Sequence, residues 1–192
     1  MRFAKTAALA VLATLLPVAA YAHPGHDVSG FTAGFAHPLS GLDHILAMVA
    51  VGIWAGQVGG RYIWQAPLAF LALMALGGLA GIEGLGLPMV EIGIAGSIVV
   101  FGAMIALAVR PVAWIGMAVT GVFAVFHGYA HGAEMHPDAS ALTYGVGFMV
   151  ATAILHGAGI GVALGLNRLR FARVERALGA AIAVAGVVIA AG

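Results

Sequence analysis

His37-Pro38-Leu39-Ser40-Gly41-Leu42-Asp43-His44-Ile45-Leu46-Ala47-Met48 places two histidines and an aspartate at the opening of an apolar run that continues to Val58. A run of that length belongs in a bilayer. An acid at the centre of a spanning helix costs about 2.5–3.5 kcal/mol on insertion scales, and a residue kept there at that cost marks a functional site. The rest of the chain has the same character. Of its 192 residues, 62% are hydrophobic and 8% are charged, with mean hydropathy +1.08. A soluble domain carries about 25% charged residues, so the chain reads as an all-α membrane protein whose first partner is the lipid bilayer. The net charge of +1 gives no ground for a nucleic-acid partner. Cysteine is absent, which excludes disulfides, thiolate metal sites and a cysteine nucleophile. A metal would have to be held by His, carboxylate, Met, backbone or water. Glycine numbers 29, about twice the usual ~7%, and small residues let helix backbones approach closely in a membrane.

The N-terminus reads as a bacterial-type signal peptide over residues 1–22. Arg2 and Lys5 form its positive end, Ala7 to Leu16 a short apolar core, and Ala20-Tyr21-Ala22 a cleavage site. The alternative is an uncleaved first helix. Cleavage would leave His23 as the mature N-terminus outside the inner membrane, offering its amine and imidazole to one cation, with His26 and Asp27 close behind. Pro24 lacks an N–H, which argues against a site using the deprotonated amide of the second residue. A solvated tail that happens to contain His is the plain alternative. Residues 23–37 then form a periplasmic His-containing segment, and residues 38–192 a transmembrane domain.

Six apolar segments follow, over Leu39–Val58, Tyr62–Gly81, Met89–Val109, Val112–Gly132, Ala139–Leu166 and Val174–Ala191. Short polar connections imply antiparallel neighbours. Arg61, Arg110, Arg168, Arg170, Arg173 and Arg176 fall in the first, third and fifth connections or their flanks. Glu83, Glu91, Glu134 and Asp138 occupy the second and fourth, which carry no Lys or Arg. The positive-inside rule makes the odd connections cytoplasmic. Six transmembrane helices with both termini periplasmic follow, in agreement with the leader. The Arg168–Arg176 group reads as an orientation signal and headgroup contact. Glu83 and Glu91 read as solvated loop and interface charges.

This orientation gathers the polar residues at the outer face. His37, Asp43 and His44 open the first span, and Phe126-His127-Gly128-Tyr129-Ala130-His131-Gly132-Ala133-Glu134 closes the fourth. His136 and Asp138 lie beyond it. Pro38 suits the first turn of a helix, with His37 just before it and able to fold back. Ser40-x-x-Asp43 also matches a capping box, in which Asp43 only satisfies backbone donors. That reading leaves His37 and His44 unexplained. His127 and His131 stand four apart on one helix face, with Glu134 on the same stripe, the spacing of helical His-x-x-x-His metal sites. Histidine near a helix C-terminus also complements the dipole, and His131 has Glu134 as a nearby partner. Imidazole with carboxylate suits Ni, Co, Zn, Cu and Fe. His156 lies deeper, in the fifth span, as a relay site or a histidine hydrogen-bonded to a neighbouring helix. Gly157, Gly161 and Gly165, and Gly128 with Gly132, have the spacing of close helix packing.

The motifs His37-x5-Asp43-His44 and Phe126-His127-Gly128-x-Ala130-His131-Gly132-x-Glu134 resemble those of the HupE/UreJ family of hydrogenase and urease accessory membrane proteins. The likeness covers the whole chain. The first motif is also similar to the His-x4-Asp-His signature of larger nickel/cobalt permeases, here one residue longer. The resemblance implies nickel, sometimes cobalt, brought in for metalloenzyme maturation and passed to a cytoplasmic metallochaperone.

The expectation is therefore a non-enzymatic inner-membrane permease for Ni²⁺, with Co²⁺ or Zn²⁺ as further candidates. His23 and His26 would capture the ion. His37, Asp43, His44, His127, His131 and Glu134 would form the selective site, and His156 would serve a later step. Nothing resembles a nucleotide-binding loop, so a gradient or sequestration inside would drive the ion. Two rivals stand beside this reading. One is an intramembrane zinc hydrolase of the ceramidase-like kind, with three His and an open water position. The other is a sensor or store that never moves its cargo.

Overall fold

A computed structural model describes residues 30–135 and 140–192. The leader, His23, His26, Asp27, His136 and Asp138 lie outside the described residues. Those described form seven α-helices and no strand: α1 Phe31–Ser40, α2 Leu42–Val58, α3 Tyr62–Ile82, α4 Val90–Ala106, α5 Ala113–Ala133, α6 Ala141–Arg168 and α7 Ala172–Ala191.

Four of these, α3, α5, α6 and α7, are long and apolar enough to cross a membrane. The pair α1 and α2, bent by 86° at Gly41, makes a fifth if taken as one broken span. Helix α4 is apolar but has only 17 residues, about 25 Å at a rise of ~1.5 Å per residue. Each of the six apolar segments contains a helix, yet only four or five meet the length and composition of a span. Two boundaries differ for local reasons. The chain leaves α4 at Leu107 rather than Val109 because Ala108 turns left-handed (φ 52°), letting Val109 N–H close back on Met104 C=O at 2.8 Å. No glycine announces that turn. At the other boundary, His37 and Pro38 lie inside α1 rather than just before or at the start of the following helix.

Helix α2 is the axis. Ten of its seventeen residues are buried, from Ala47 to Gln57, so it is covered on nearly every side. It meets α1, α3, α4, α6 and α7, while the strongest pairings among the others are α3 with α5, α4 with α7 and α1 with α6. Trp54, Phe70, Phe101, Met48 and Ile53 fill the space around it. Glycine sets these approaches. A Cβ on Gly52 would collide with the backbone of His156, and one on Gly159 with that of Val49, so α2 and α6 touch main chain to main chain. Gly128 and Gly132 bring α5 equally close to Met74 and Gly78 of α3, as their spacing suggests. Gly157, Gly161 and Gly165 do not act this way. They are exposed, with nothing within 4 Å of an added Cβ, because the packed face of α6 carries Gly159 instead.

Gly159→Leu is expected to lower the thermal unfolding midpoint in detergent, since overpacking costs about 1–3 kcal/mol. Gly161→Leu is expected to leave it in place.

Candidate metal centre

The site forms where α1, α2, α5 and α6 meet. Gly41 is the corner between α1 and α2, with an extended backbone (φ −100°, ψ 124°) that ends one helix and starts the next. A side chain there would press on Asp43 Oδ1 and His44 Nδ1, at 2.5 and 3.0 Å from the Cβ position. The capping box is not formed. Ser40 Oγ donates to His37 C=O at 2.6 Å, closing α1 instead. Asp43 turns to its neighbour, accepting the His44 backbone N–H at 2.9 Å and facing His44 Nδ1 at 2.9 Å. A carboxylate only accepts, so His44 carries its proton on Nδ1. Its Nε2 lone pair is left free, buried and without a partner. Carboxylates hold metal-ligating histidines in this way.

Helix α5 repeats the arrangement. His127 Nδ1–H donates to Phe123 C=O at 2.9 Å, which leaves Nε2 buried and unpartnered. His131, one turn on, has neither ring nitrogen bonded. The two distant segments converge: the His44 ring lies 4.4 Å from that of His131 and 5.4 Å from that of His127, and His37 lies 4.6 Å from His131. His37 Nε2 approaches Glu134 Oε2 at 3.4 Å, so the carboxylate at the end of α5 pairs with His37 rather than with His131. Ligand atoms of His37, His131 and Glu134 lie within 4.8 Å of one another. His37 and Glu134 are partly open to the surface and His131 is buried, so this triad lies at the surface edge of the cluster. Asp43 also borders a cavity of about 300 Å³ shared with Glu91, Ile189 and Gly192.

His156 lies further in. It is buried, and both ring nitrogens lack a partner, so it is not held by a hydrogen bond to a neighbouring helix. Phe70 stands between it and the cluster, 5.6 Å from His127 and 5.1 Å from His156 by ring centroid. Phe148 covers His131 at 4.0 Å, and Tyr144 stands 6.0 Å from His37. Sequence reading missed these three aromatic residues. They sit in apolar runs where any large side chain would look like core, and no spacing sets them apart.

Nearly all buried polar groups in folded proteins find a partner. Four histidines on three helices here keep lone pairs or N–H groups with none. Imidazole nitrogen joined by carboxylate oxygen is the donor set that suits Ni, Co, Zn, Cu and Fe, and the residues present fit such an ion.

A family model described as "HupE / UreJ protein" matches residues 10–189. The chain belongs to the HupE/UreJ family. It is also 46% identical, over an alignment of 197 residues covering all of both chains, to "Protein HupE" of Rhizobium leguminosarum bv. viciae. No solved structure matches. With its apolar helices, this family member is a membrane protein.

The convergence can be checked without any metal, because the chain has no native cysteine. His44→Cys combined with His131→Cys is expected to cross-link with a short bis-maleimide, read as a mobility shift. His44→Cys combined with Gly161→Cys is expected not to.

Proposed function

We propose that this HupE/UreJ protein is an inner-membrane permease that carries Ni²⁺, or a similar divalent ion such as Co²⁺, toward the cytoplasm for hydrogenase or urease maturation. The observation that carries this reading is the set of buried, unpartnered imidazole nitrogens on His44, His127, His131 and His156, arranged from the surface inward. In the proposed topology the leader is cleaved, six segments cross, and both termini face the periplasm. His23 and His26 would add a capturing tail outside.

The ion would meet Glu134, His37 and His131 first. Exchange of its water shell for imidazole is favourable for Ni²⁺ and Co²⁺. His44 and His127 present Nε2 with the tautomer already set by Asp43 and by Phe123 C=O, so little ordering is needed when the ion arrives. His156 would take it beyond Phe70. Family membership supports nickel handling for an accessory protein. The hydrolase reading requires three histidines on one ion plus a water. Among the described residues, the three ligand atoms that lie within 4.8 Å of one another belong to two histidines and a glutamate, and further histidine continues inward, which favours passage over a single catalytic ion. A metallochaperone would receive the cargo inside.

Vesicles containing the purified protein and a metal-sensitive dye provide the test. Wild type is expected to pass Ni²⁺, and Asp43→Ala and His44→Ala are each expected to reduce the initial rate at least tenfold. Normal nickel flux in both variants would overturn the site assignment. Tight retention of metal with no flux in wild type would instead support a store or sensor. Asp43→Asn is expected to weaken equilibrium nickel binding 10- to 100-fold, the usual effect of losing a carboxylate behind a ligating histidine.

A further inference from the structure

The far end of α2 holds a second polar group that the histidine site does not use. Glu175 stands in the first turn of α7, at the Arg-rich end of the bundle, yet it is only 2% exposed. Among the described residues it is the one carboxylate at that end. Its Oε1 is buried with no hydrogen-bond partner. It faces the side chain of Gln57, near the end of α2, with the Arg110 guanidinium nearby. Gln57 is 7% exposed. Its Nε2 donates to Ile105 C=O at 3.1 Å, and its Oε1 has no partner either. The Gln57 amide also reaches the Glu175 carboxylate as a donor, and two buried oxygens, Glu175 Oε1 and Gln57 Oε1, are left with nothing to accept.

Charges of both signs surround these oxygens. Helices α2 and α4 both end here, and helix C-termini carry a partial negative charge. Two of their last carbonyls are occupied: Arg110 donates to Gln57 C=O at 3.2 Å, and Arg176 Nε to Ala106 C=O at 2.7 Å. A glutamate in a first turn complements its own helix dipole, but that role needs no burial and does not explain the unpartnered Gln57 oxygen. Thirteen residues of α2 separate His44 from Gln57, roughly 20 Å at ~1.5 Å per residue. The same buried helix therefore links the two groups.

We propose that Glu175 and Gln57 form a release site for the divalent ion at the inner end of its path, a reading that rests on the transport function proposed above. The ligands are oxygens. Oxygen holds Ni²⁺ less firmly than imidazole does, and conduction requires a last site weak enough to leave. Arg110 opposes prolonged residence by like charge. The path is thus graded, with nitrogen donors where the ion is gathered and oxygen donors where it is shed.

The experiment compares wild type, Glu175→Gln and Glu175→Asp in nickel-loaded vesicle assays, alongside equilibrium nickel binding and thermal unfolding in detergent. Glu175→Gln is expected to slow flux at least tenfold while leaving the outer affinity within twofold and the unfolding midpoint unchanged. Glu175→Asp, which keeps the charge, is expected to recover at least a third of the wild-type rate. Wild-type flux in Glu175→Gln overturns the release site and leaves the permease reading standing. An aspartate variant as slow as the glutamine one also overturns it. No flux in wild type removes both readings together. If Glu175→Gln does not fold, Gln57→Leu decides: slowed flux with outer binding kept supports the site, and an unchanged rate overturns it.

Discussion

Polar groups inside an apolar bundle have no water to turn to, and that constraint shapes this protein from one end to the other. Where hydrogen bonds are available, the chain uses them: Asp43 takes the His44 ring, Phe123 C=O takes His127, and Thr120 Oγ1 donates to Gly116 C=O. On His44 and His127, what is left after that pairing is concentrated on one side of the ring. A ring held at Nδ1 presents Nε2, so the hydrogen bonds that satisfy one nitrogen also aim the other. The same bonds that stabilise the fold therefore organise the candidate site.

Such aiming needs helices that sit very close together. Gly52 and Gly159 let α2 and α6 touch, and Gly128 and Gly132 do the same for α5 against α3. Lipid tails are as apolar as leucine, so helix association in a membrane relies on packing at small residues more than on burial of apolar surface. Moving α6 outward by the width of a side chain would draw His156 away from Phe70 and its neighbours. The sharp corner at Gly41 is equally consequential. It turns α1 by 86° from α2, which brings His37 over the end of α5 instead of leaving it in line with α2.

Membrane character was legible directly, because composition alone separates this chain from soluble domains. So was the clustering of the histidines, since His127, His131 and Glu134 share a stripe by spacing and Asp43-His44 stands out against its apolar run. The corner at Gly41 was not legible. Pro38 is compatible with a helix start, and only the packing of α1 on α6 shows that it lies inside an earlier helix. The glycines of α6 were misleading for a related reason. Spacing identifies a stripe of small residues but not which face of the helix meets a neighbour, and Gly157, Gly161 and Gly165 line the exposed one. Glu175 lay among arginines, where a first-turn acid looks like a solvated charge.

The sequence by itself determined that this chain belongs in a membrane and which residue types gather toward each end, because hydropathy and charge act residue by residue. Only the tertiary structure decided that His44 meets His131, that Glu134 pairs with His37, and that Glu175 is buried against Gln57. Those outcomes depend on which helix faces touch, and no single segment carries that information.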